Sequence, residues 1–268
     1  MFMEERQQDI VKRINESGRI LVSEIQSLYH VSADCARRDL RLLESRGLLQ
    51  RTHGGAIAAS PKGVLPEKTY NPADLTEVKK NYLAVAKQAV TYIRPGDVIY
   101  LTTSSVGYYM ARNLPQQEMT VLTNSVTTAD VLRKKENISV ILLGGEMSHR
   151  GHCHDYYTIQ MVKNIRIDKA FLSHTALSAD FGASVHDSSG AAFGKAVMAS
   201  STKNIGVYPS DKIGKNSIHS VCEITDYDLL ITDDQVSEDF LAQIRELGMD
   251  YTVAKKEGGF WWEDIAYW

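Results

Sequence analysis

A run of arginines on one predicted helix is the strongest chemical feature of this sequence. Arg37, Arg38 and Arg41 follow Ser32, a residue type that often caps a helix start by accepting a backbone N–H. The opposite side of the helix carries apolar residues at helical spacing, which are Ala36, Leu40 and Leu43. Arginine pairs bidentately with guanine or with phosphate, and a helix start also favours phosphate. The pattern therefore predicts a helix whose cationic side enters the major groove of DNA.

The neighbouring segments predict the elements that would position this helix. Ile10 and Ile14 indicate a first helix over residues 4–16, and a second helix starts near a predicted cap at Ser23. After the arginine helix, alternating residues and the Gly54-Gly55 turn predict a β-hairpin wing. The predicted DNA contacts are Ser32, Asp34, Cys35, Arg37, Arg38, Arg41, Arg51 and His53. This order of elements is typical of a winged helix-turn-helix, although a small helical bundle with a solvated basic face has the same charge pattern.

The amino-acid sequence of this segment resembles the DNA-binding domain of DeoR-family bacterial repressors. The resemblance rests on R-Q-Q-D-I, V-S-E-I, V-S-A-D-C-A-R-R-D-L and L-E-S-R-G-L-L-Q-R-T-H-G-G-A, and it covers residues 4–57. Cys35 and Ala36 stand where the family usually has threonine and isoleucine. The resemblance implies a sequence-specific regulator that binds double-stranded operator DNA, but it does not carry over the operator sequence.

The rest of the chain alternates strand and helix patterns. Val98–Leu101 predicts a buried strand, and the hydroxyl-rich loop that follows it precedes a helix start, which together form a cradle for an anion. Further strands are predicted at residues 120–123, 138–143, 170–172, 205–208 and 229–232. Alternating strands and helices indicate an α/β domain with a mostly parallel sheet. Ligands in such domains lie beyond the carboxyl ends of the strands.

Scattered motifs in this part resemble the Rossmann-like sensor domain of the same family, which is related to ribose-phosphate isomerases. They include T-N-S at Thr123, L-L-G-G at Leu142, G-K-A-V-M at Gly194 and D-K-I-G at Asp211. The resemblance implies a phosphorylated sugar or sugar-like effector. The residues it implies for the effector site are Thr102, Thr103, Ser104, Ser105, Asn124, Gly145, His154, Lys195 and Lys212. This sequence departs from the family at Thr102, where an aspartate is expected, and at Ser173, Ala191 and Pro209.

Three histidines and a cysteine crowd the loop after Gly144-Gly145: His149, His152, Cys153 and His154. These side chains are good zinc ligands, but adjacent residues of one short loop rarely converge on one ion. We expect the loop to fold over the effector pocket, where His152 or His154 would donate to a ligand hydroxyl. No metal and no cofactor is predicted.

Length and composition set the domain plan. The chain has 268 residues, a formal net charge of -3 and 24% charged residues, which suits a protein of two globular domains. Its three cysteines are far apart, and its charged start and lack of a long apolar run indicate a cytoplasmic protein without a membrane segment. The predicted parts are a winged domain at 1–58, a linker at 59–74, the sensor domain at 75–255 and an aromatic tail at 256–268.

Three functions fit these features. The first is a repressor of a carbohydrate operon, acting as a homodimer or homotetramer and controlled by a phosphorylated metabolite. The second is a sugar-phosphate isomerase that carries a DNA-binding domain, and Thr102 argues against it because isomerisation needs a base beside the substrate carbon. The third is an architectural DNA-binding protein without an effector.

Overall fold

The chain divides into two compact units, Met1–Leu65 and Pro66–Trp268. A computed structural model describes residues 3–17, 19–45, 49–52, 54–58 and 79–255. The predicted linker, the aromatic tail and the predicted DNA contact His53 lie outside the described residues.

The N-terminal unit is a winged helix-turn-helix, as predicted. Its elements are α1 (Met3–Ser17), β1 (Arg19–Leu21), α2 (Val22–Tyr29), α3 (Ala33–Ser45), β2 (Leu49–Thr52) and β3 (Gly55–Ala58). The three strands form an antiparallel sheet in the order β1-β3-β2, and β2 and β3 are the hairpin wing. Ile10, Ile14 and Ile25 are fully buried between the helices, together with Leu40 of α3.

The helix boundaries show one wrong prediction. Ser32 caps α3 as expected, because its Oγ accepts the Cys35 N–H at 3.2 Å. Ser23 is not a cap, since α2 begins before it at Val22. The Glu24 carboxylate instead accepts the Leu21 N–H at 2.7 Å, so a side chain inside the first turn satisfies the orphan donor at this end. His30, at a φ of 52°, turns the chain from α2 into α3.

The second unit is built on a parallel sheet of seven strands. They are β4 (Val98–Leu101), β5 (Met119–Thr123), β6 (Ile138–Leu142), β7 (Ile167–Leu172), β10 (Ser201–Val207), β12 (Leu229–Asp233) and β13 (Tyr251–Ala254). Their order in the sheet is β13-β12-β10-β7-β4-β5-β6. The helices are α4 (Lys80–Val90), α5 (Ser105–Asn113), α6 (Val126–Leu132), α7 (Tyr156–Lys163), α8 (Ser188–Ala199) and α9 (Glu238–Glu246). This architecture confirms the predicted Rossmann-like α/β fold.

Apolar side chains cover the sheet on both faces. Ile99 and Leu101 of β4 belong to one buried cluster, which includes Val85 of α4 and Met110 of α5. Tyr100, between them, belongs to a second cluster with side chains of α8 and α9. Successive residues of a strand point to opposite faces, so a strand buried on both faces is an unbroken apolar run. None of the helices in the described ranges combines the length and apolar character needed to cross a bilayer.

A small antiparallel sheet was not predicted. It consists of β8 (Ala176–Ser178), β9 (Gly182–Val185) and β11 (His219–Cys222) in the order β11-β9-β8. Gly182 joins the first two strands at a φ of +67°, a backbone conformation that favours glycine. Strands of three or four residues that lack a continuous apolar run carry too little alternation to be recognised from the sequence.

Candidate functional sites

The structure places most of the predicted DNA contacts of α3 on its exposed side, whereas Cys35 is only partly exposed and its Sγ accepts from the Arg6 guanidinium at 3.6 Å. Asp34, Arg37, Arg38 and Arg41 are exposed, whereas Ala36, Leu40 and Leu43 are buried. Arg37 lies 3.5 Å from the Asp34 carboxylate, an ion pair in which both side chains are more than half exposed. Arg38 makes no ion pair with any of the described residues. Such cations are available to phosphates or base edges, since exposed ion pairs contribute little stability.

A buried ionic contact that the sequence analysis missed holds α3 on α1. The Arg6 Nε lies 2.7 Å from Oδ2 of Asp39, and the Gln7 amide donates to Oδ1 of Asp39 at 2.9 Å. Asp39 is 1% exposed. Its carboxylate accepts a hydrogen bond from Arg6 and raises the pKa of that guanidinium. The contact fixes the orientation of the arginine-bearing helix, because Asp39 lies on α3 among those arginines.

Arg51 is bound to the end of α3. Its Nε lies 2.6 Å from Oε2 of Glu44, and its backbone N–H donates to Oε1 of Glu44 at 2.9 Å. These hydrogen bonds from Arg51 lower the pKa of Glu44. The pair anchors the wing, so part of the hydrogen-bonding capacity of Arg51 is used inside the protein and its DNA contact stays a prediction.

The predicted effector site falls at the switch point of the parallel sheet. After β4 the chain adds β5 and β6 on one side, and from β7 onward it builds the other side. Crevices at such a switch point are where open α/β sheets bind ligands. Thr102, after β4, donates from Oγ1 to the Ser173 carbonyl, after β7, at 3.3 Å. A Cβ at Gly107 would overlap the Thr102 carbonyl, so the glycine lets α5 approach this strand end closely.

The hydroxyl residues lie at the start of α5. Ser104 caps the helix by accepting the Gly107 N–H at 3.5 Å, and Ser105 is its first residue. Thr103 and Ser104 are partly exposed, whereas Thr102 and Ser105 are buried. Backbone N–H groups and hydroxyls therefore meet at a helix N-terminus, which is the chemistry of an anion cradle.

Lys212 supplies a cation at the same strand ends. Its Nζ donates to Ser173 Oγ at 3.0 Å and to the His174 carbonyl at 2.9 Å. Burial lowers the pKa of Lys212 to about 8. Ser173 was noted in the sequence only as a departure from the family, yet it contacts both Thr102 and Lys212. Lys195, the other predicted cation, is exposed in the middle of α8.

The side-chain amide of Asn124 makes hydrogen bonds to other residues of the protein. Its Oδ1 accepts the Tyr100 hydroxyl at 2.8 Å, and its Nδ2 donates to the Cys153 carbonyl at 2.5 Å. The side chain is 2% exposed. Asn124 thus holds the histidine loop, residues 146–155, against the end of β5, and its contact with an effector stays a prediction.

The histidine loop is also held at both of its ends. Asp155 accepts the Glu146 N–H at 3.0 Å and caps α7 by accepting the Thr158 N–H at 3.0 Å. These hydrogen bonds lower the pKa of Asp155 to about 2. A Cβ at Gly145 would overlap the Asp155 carboxylate and crowd the Thr158 hydroxyl, so the loop requires glycine there.

His154 joins this loop to α8. Its Nε2 lies 3.5 Å from Oδ1 of Asp187, and its ring centroid lies 5.1 Å from that of His152. Asp187 caps α8 by accepting the Gly190 N–H at 2.6 Å. The sequence analysis missed Asp187, although D-S-S-G before an apolar helix is a recognisable cap pattern.

His174 is half-buried in a polar cluster beside Lys212. Its Nδ1 lies 2.8 Å from the Tyr208 hydroxyl and 3.1 Å from the Tyr227 hydroxyl. Burial and the charge of Lys212 lower the pKa of His174 to about 3. The imidazole is therefore neutral at physiological pH and does not compete with Lys212 as a cation.

Both units match known families. Residues 6–62 match the family described as the DeoR-like helix-turn-helix domain, and residues 78–234 match the DeoR C terminal sensor domain. The chain also overlaps ribose 5-phosphate isomerase A of Methanocaldococcus jannaschii with 18% identity, a TM-score of 0.36, and coverage of 49% of this chain and 53% of that chain. This overlap is too small to support an argument about activity.

Relatives align over most of the chain. YulB of Bacillus subtilis, an uncharacterized HTH-type transcriptional regulator, is 34% identical over 87% of this chain and 90% of its own. The HTH-type transcriptional repressor GlcR of the same organism is 30% identical over 97% and 99%. The lactose phosphotransferase system repressor of Staphylococcus epidermidis is 29% identical over 85% and 91%. With both domains matched in order, the chain belongs to the DeoR family of helix-turn-helix transcriptional regulators.

Proposed function

We propose that this protein represses a carbohydrate-utilisation operon and that a phosphorylated sugar controls its binding to operator DNA. The observation that carries the proposal is the presence, in one chain, of an arginine-bearing helix with its cationic side exposed and of a polar site around Lys212. The names of two relatives, a repressor called GlcR and a lactose phosphotransferase system repressor, support the carbohydrate assignment.

The DNA-binding half of the proposal assigns base or phosphate contacts to the exposed side of α3. Arg38 and Arg41 are the strongest candidates, because neither forms an ion pair with the described residues. Arg37 leaves its exposed ion pair with Asp34 and contacts DNA instead. Ser32, Asp34 and Cys35 occupy the helix start, where backbone N–H groups favour a phosphate, and Arg51 and His53 of the wing contact the flanking backbone.

The effector half assigns the phosphate to the start of α5. Thr103 and Ser104 offer hydroxyls there, and Lys212 offers the nearby positive charge. Asn124, Gly145 and His154 border the sugar, and Lys195, exposed on α8, supplies a second positive charge. Twofold operators are read by paired recognition helices about one DNA turn (~34 Å) apart. We propose a homodimer or homotetramer in which effector binding shifts the subunits, so that the paired recognition helices no longer match the two half-sites.

Binding without turnover fits the chemistry after β4. Thr102 stands there with its hydroxyl donated to the Ser173 carbonyl, and a hydroxyl is a poor general base at neutral pH. We therefore expect no isomerisation of pentose phosphates. Isomerisation of ribose 5-phosphate by the purified protein would instead favour the hypothesis that the protein is a sugar-phosphate isomerase.

The effector response is tested by measuring binding to DNA from upstream of the protein's own gene, with a panel of phosphorylated sugars. Lys212→Ala should weaken the effect of the active sugar about 10-fold or more, since a charged hydrogen bond contributes ~1.5–3 kcal/mol. Lys203→Ala is the matched control, because Lys203 is an exposed lysine near the opposite end of the sheet, in β10. If the two variants respond alike, the assigned phosphate site is wrong.

A further inference from the structure

We propose that Asp211 is a positioning residue that connects Lys212 to the first turn of α4 and so carries effector binding toward the DNA-binding unit. This inference rests on the proposed function, because it needs an anionic ligand near Lys212. Helix α4 is the first element described after the N-terminal unit, and the predicted linker ends shortly before it, at residue 74. The first turn of α4 is therefore the described part of the sensor unit that is nearest in sequence to the winged domain.

Two side chains from the start of α4 converge on one oxygen of Asp211. The Tyr82 hydroxyl donates to Oδ2 of Asp211 at 3.0 Å, and the Lys79 ammonium lies 3.5 Å from the same oxygen. Lys79 Nζ also lies 4.8 Å from the centroid of the Tyr82 ring. Tyr82 is 7% exposed, so this hydroxyl is held in place by the packing of its ring.

A second carboxylate connects the same two segments. Asp233, at the end of β12 and fully buried, accepts the Ser210 N–H at 2.7 Å and the Asn81 amide at 3.4 Å, both on Oδ2. Ser210, Asp211 and Lys212 form one short 3-10 turn. Its first two residues thus connect the 3-10 turn to the start of α4: Ser210 through Asp233, and Asp211 directly.

The third residue of the turn faces the effector site. Lys212 Nζ donates to Ser173 Oγ and to the His174 carbonyl, at the end of β7. An anionic ligand would compete with these two neutral acceptors for the same N–H groups, because hydrogen bonds between charged groups are stronger. Because Asp211 and Lys212 are adjacent in this three-residue turn, a backbone shift that follows the ammonium toward a ligand also moves the Asp211 carboxylate.

The turn Ser210–Lys212 has a hydrogen-bond acceptor that the described residues leave unused, which a second arrangement of the turn would satisfy. Oδ1 of Asp211 is buried and has no hydrogen-bond partner among the described residues. A rearranged turn that satisfies this oxygen gains the hydrogen bond that it lacks here, which offsets part of the cost of the rearrangement. Two arrangements of one turn, differing in their contacts with Lys79 and Tyr82, are what coupling between two sites requires.

The connection is tested without any ligand by amide hydrogen exchange. Lys212→Met keeps the stem of the side chain but removes the ammonium from the strand ends. We expect the amides of Leu83 to Ala86 in α4 to exchange about 3- to 10-fold faster in this variant. Lys203→Met, at an exposed lysine of β10, should leave them unchanged. Equal exchange in Lys212→Met and the wild type would overturn the connection.

The effect on regulation is tested with Asp211→Asn. Operator affinity is measured alone and with glucose 6-phosphate, fructose 1-phosphate or galactose 6-phosphate as separate probes. We expect basal affinity within about 2-fold of the wild type and a sugar-induced change that is about 3- to 10-fold smaller. Asp130→Asn removes an exposed aspartate that pairs with Arg133 on α6, and it should keep the full response.

The outcomes separate the two claims. If none of the three sugars acts on the wild type, the proposed effector class is wrong, and the exchange measurement still decides whether Lys212 and α4 are connected. If a sugar acts and Asp211→Asn retains the whole response, the effector proposal stands and the role of Asp211 is refuted.

Discussion

At the scale of single residues, Asp39 is the side chain on which the geometry of the recognition helix depends most. Its carboxylate accepts from Arg6 and Gln7 while almost fully buried. Asp39→Ala leaves the Arg6 guanidinium buried without a counter-charge, so we expect a loss of about 3 kcal/mol in the free energy of unfolding of the N-terminal unit. Urea denaturation followed by circular dichroism measures this loss. Asp34→Ala, at a side chain that is 94% exposed, should change it by less than about 0.5 kcal/mol.

His174 predicts how the stability of the sensor unit depends on pH. Its pKa in the folded protein is about 3, against an ordinary value of 6.5. Between these values the unfolded chain binds a proton that the folded chain does not, so this residue makes the free energy of unfolding fall as pH falls from about 6.5. Its contribution is at most about 1.4 kcal/mol per pH unit.

The variant His174→Gln tests this dependence. Urea denaturation at pH 7, 6 and 5 should show a shallower decline in the variant than in the wild type, whatever its absolute stability. His149→Gln, at an exposed histidine of the histidine loop, should decline like the wild type. A decline in His174→Gln as steep as that of the wild type would show that the His174 imidazole is not the cause.

At the scale of elements, two adjacent glycines provide a matched test of the histidine loop. A Cβ at Gly145 would overlap the Asp155 carboxylate, whereas a Cβ at Gly144 would meet nothing within 4 Å. Gly145→Ala should therefore destabilise the sensor unit by about 1–3 kcal/mol and displace the Asp155 cap of α7. Gly144→Ala should have little effect on the unfolding transition, and equal effects of the two substitutions would contradict the described loop.

The elements that could be predicted are those whose information is local. The arginine helix carries its own cap and apolar face, and the buried strands of the parallel sheet are continuous apolar runs. The role of Glu24 was missed because Ser23 and Glu24 are adjacent acceptors, and the sequence does not show which of them accepts a hydrogen bond at the start of α2. The short strands β8, β9 and β11 were missed because they are too short to show periodicity. Asp39 was missed because Arg6 and Gln7 lie 33 and 32 residues away in the chain.

The same distinction applies to the effector site. The strand ends were predictable, since the carboxyl ends of parallel strands lie on one edge of a sheet. The hydrogen bonds that each side chain makes at these strand ends could not be predicted from the sequence. Asn124 binds the histidine loop, Lys195 is exposed on α8, and Ser173 contacts both Thr102 and Lys212. These assignments depend on contacts between residues distant in sequence, which a linear pattern does not contain.

At the scale of the whole molecule, the exposed arginines of α3 predict that the affinity for DNA depends on contacts with phosphates and on a few contacts with bases. Binding to DNA should therefore weaken steeply with salt, because neutralised phosphates release counterions. It should also favour a sequence with twofold symmetry, since two copies of α3 would each read a half-site.

The most direct test of the central claim is the affinity of the Arg37→Ala, Arg38→Ala double variant for a duplex that the wild-type protein selects from random DNA. Fluorescence anisotropy should show a loss of about 30-fold or more, because each specific arginine contact contributes ~1–3 kcal/mol. The control variant Arg94→Ala, Arg112→Ala removes two exposed arginines of the sensor unit and should bind like the wild type. Unchanged affinity in the Arg37 and Arg38 variant, with its fold intact, would contradict the claim that the exposed side of α3 binds DNA.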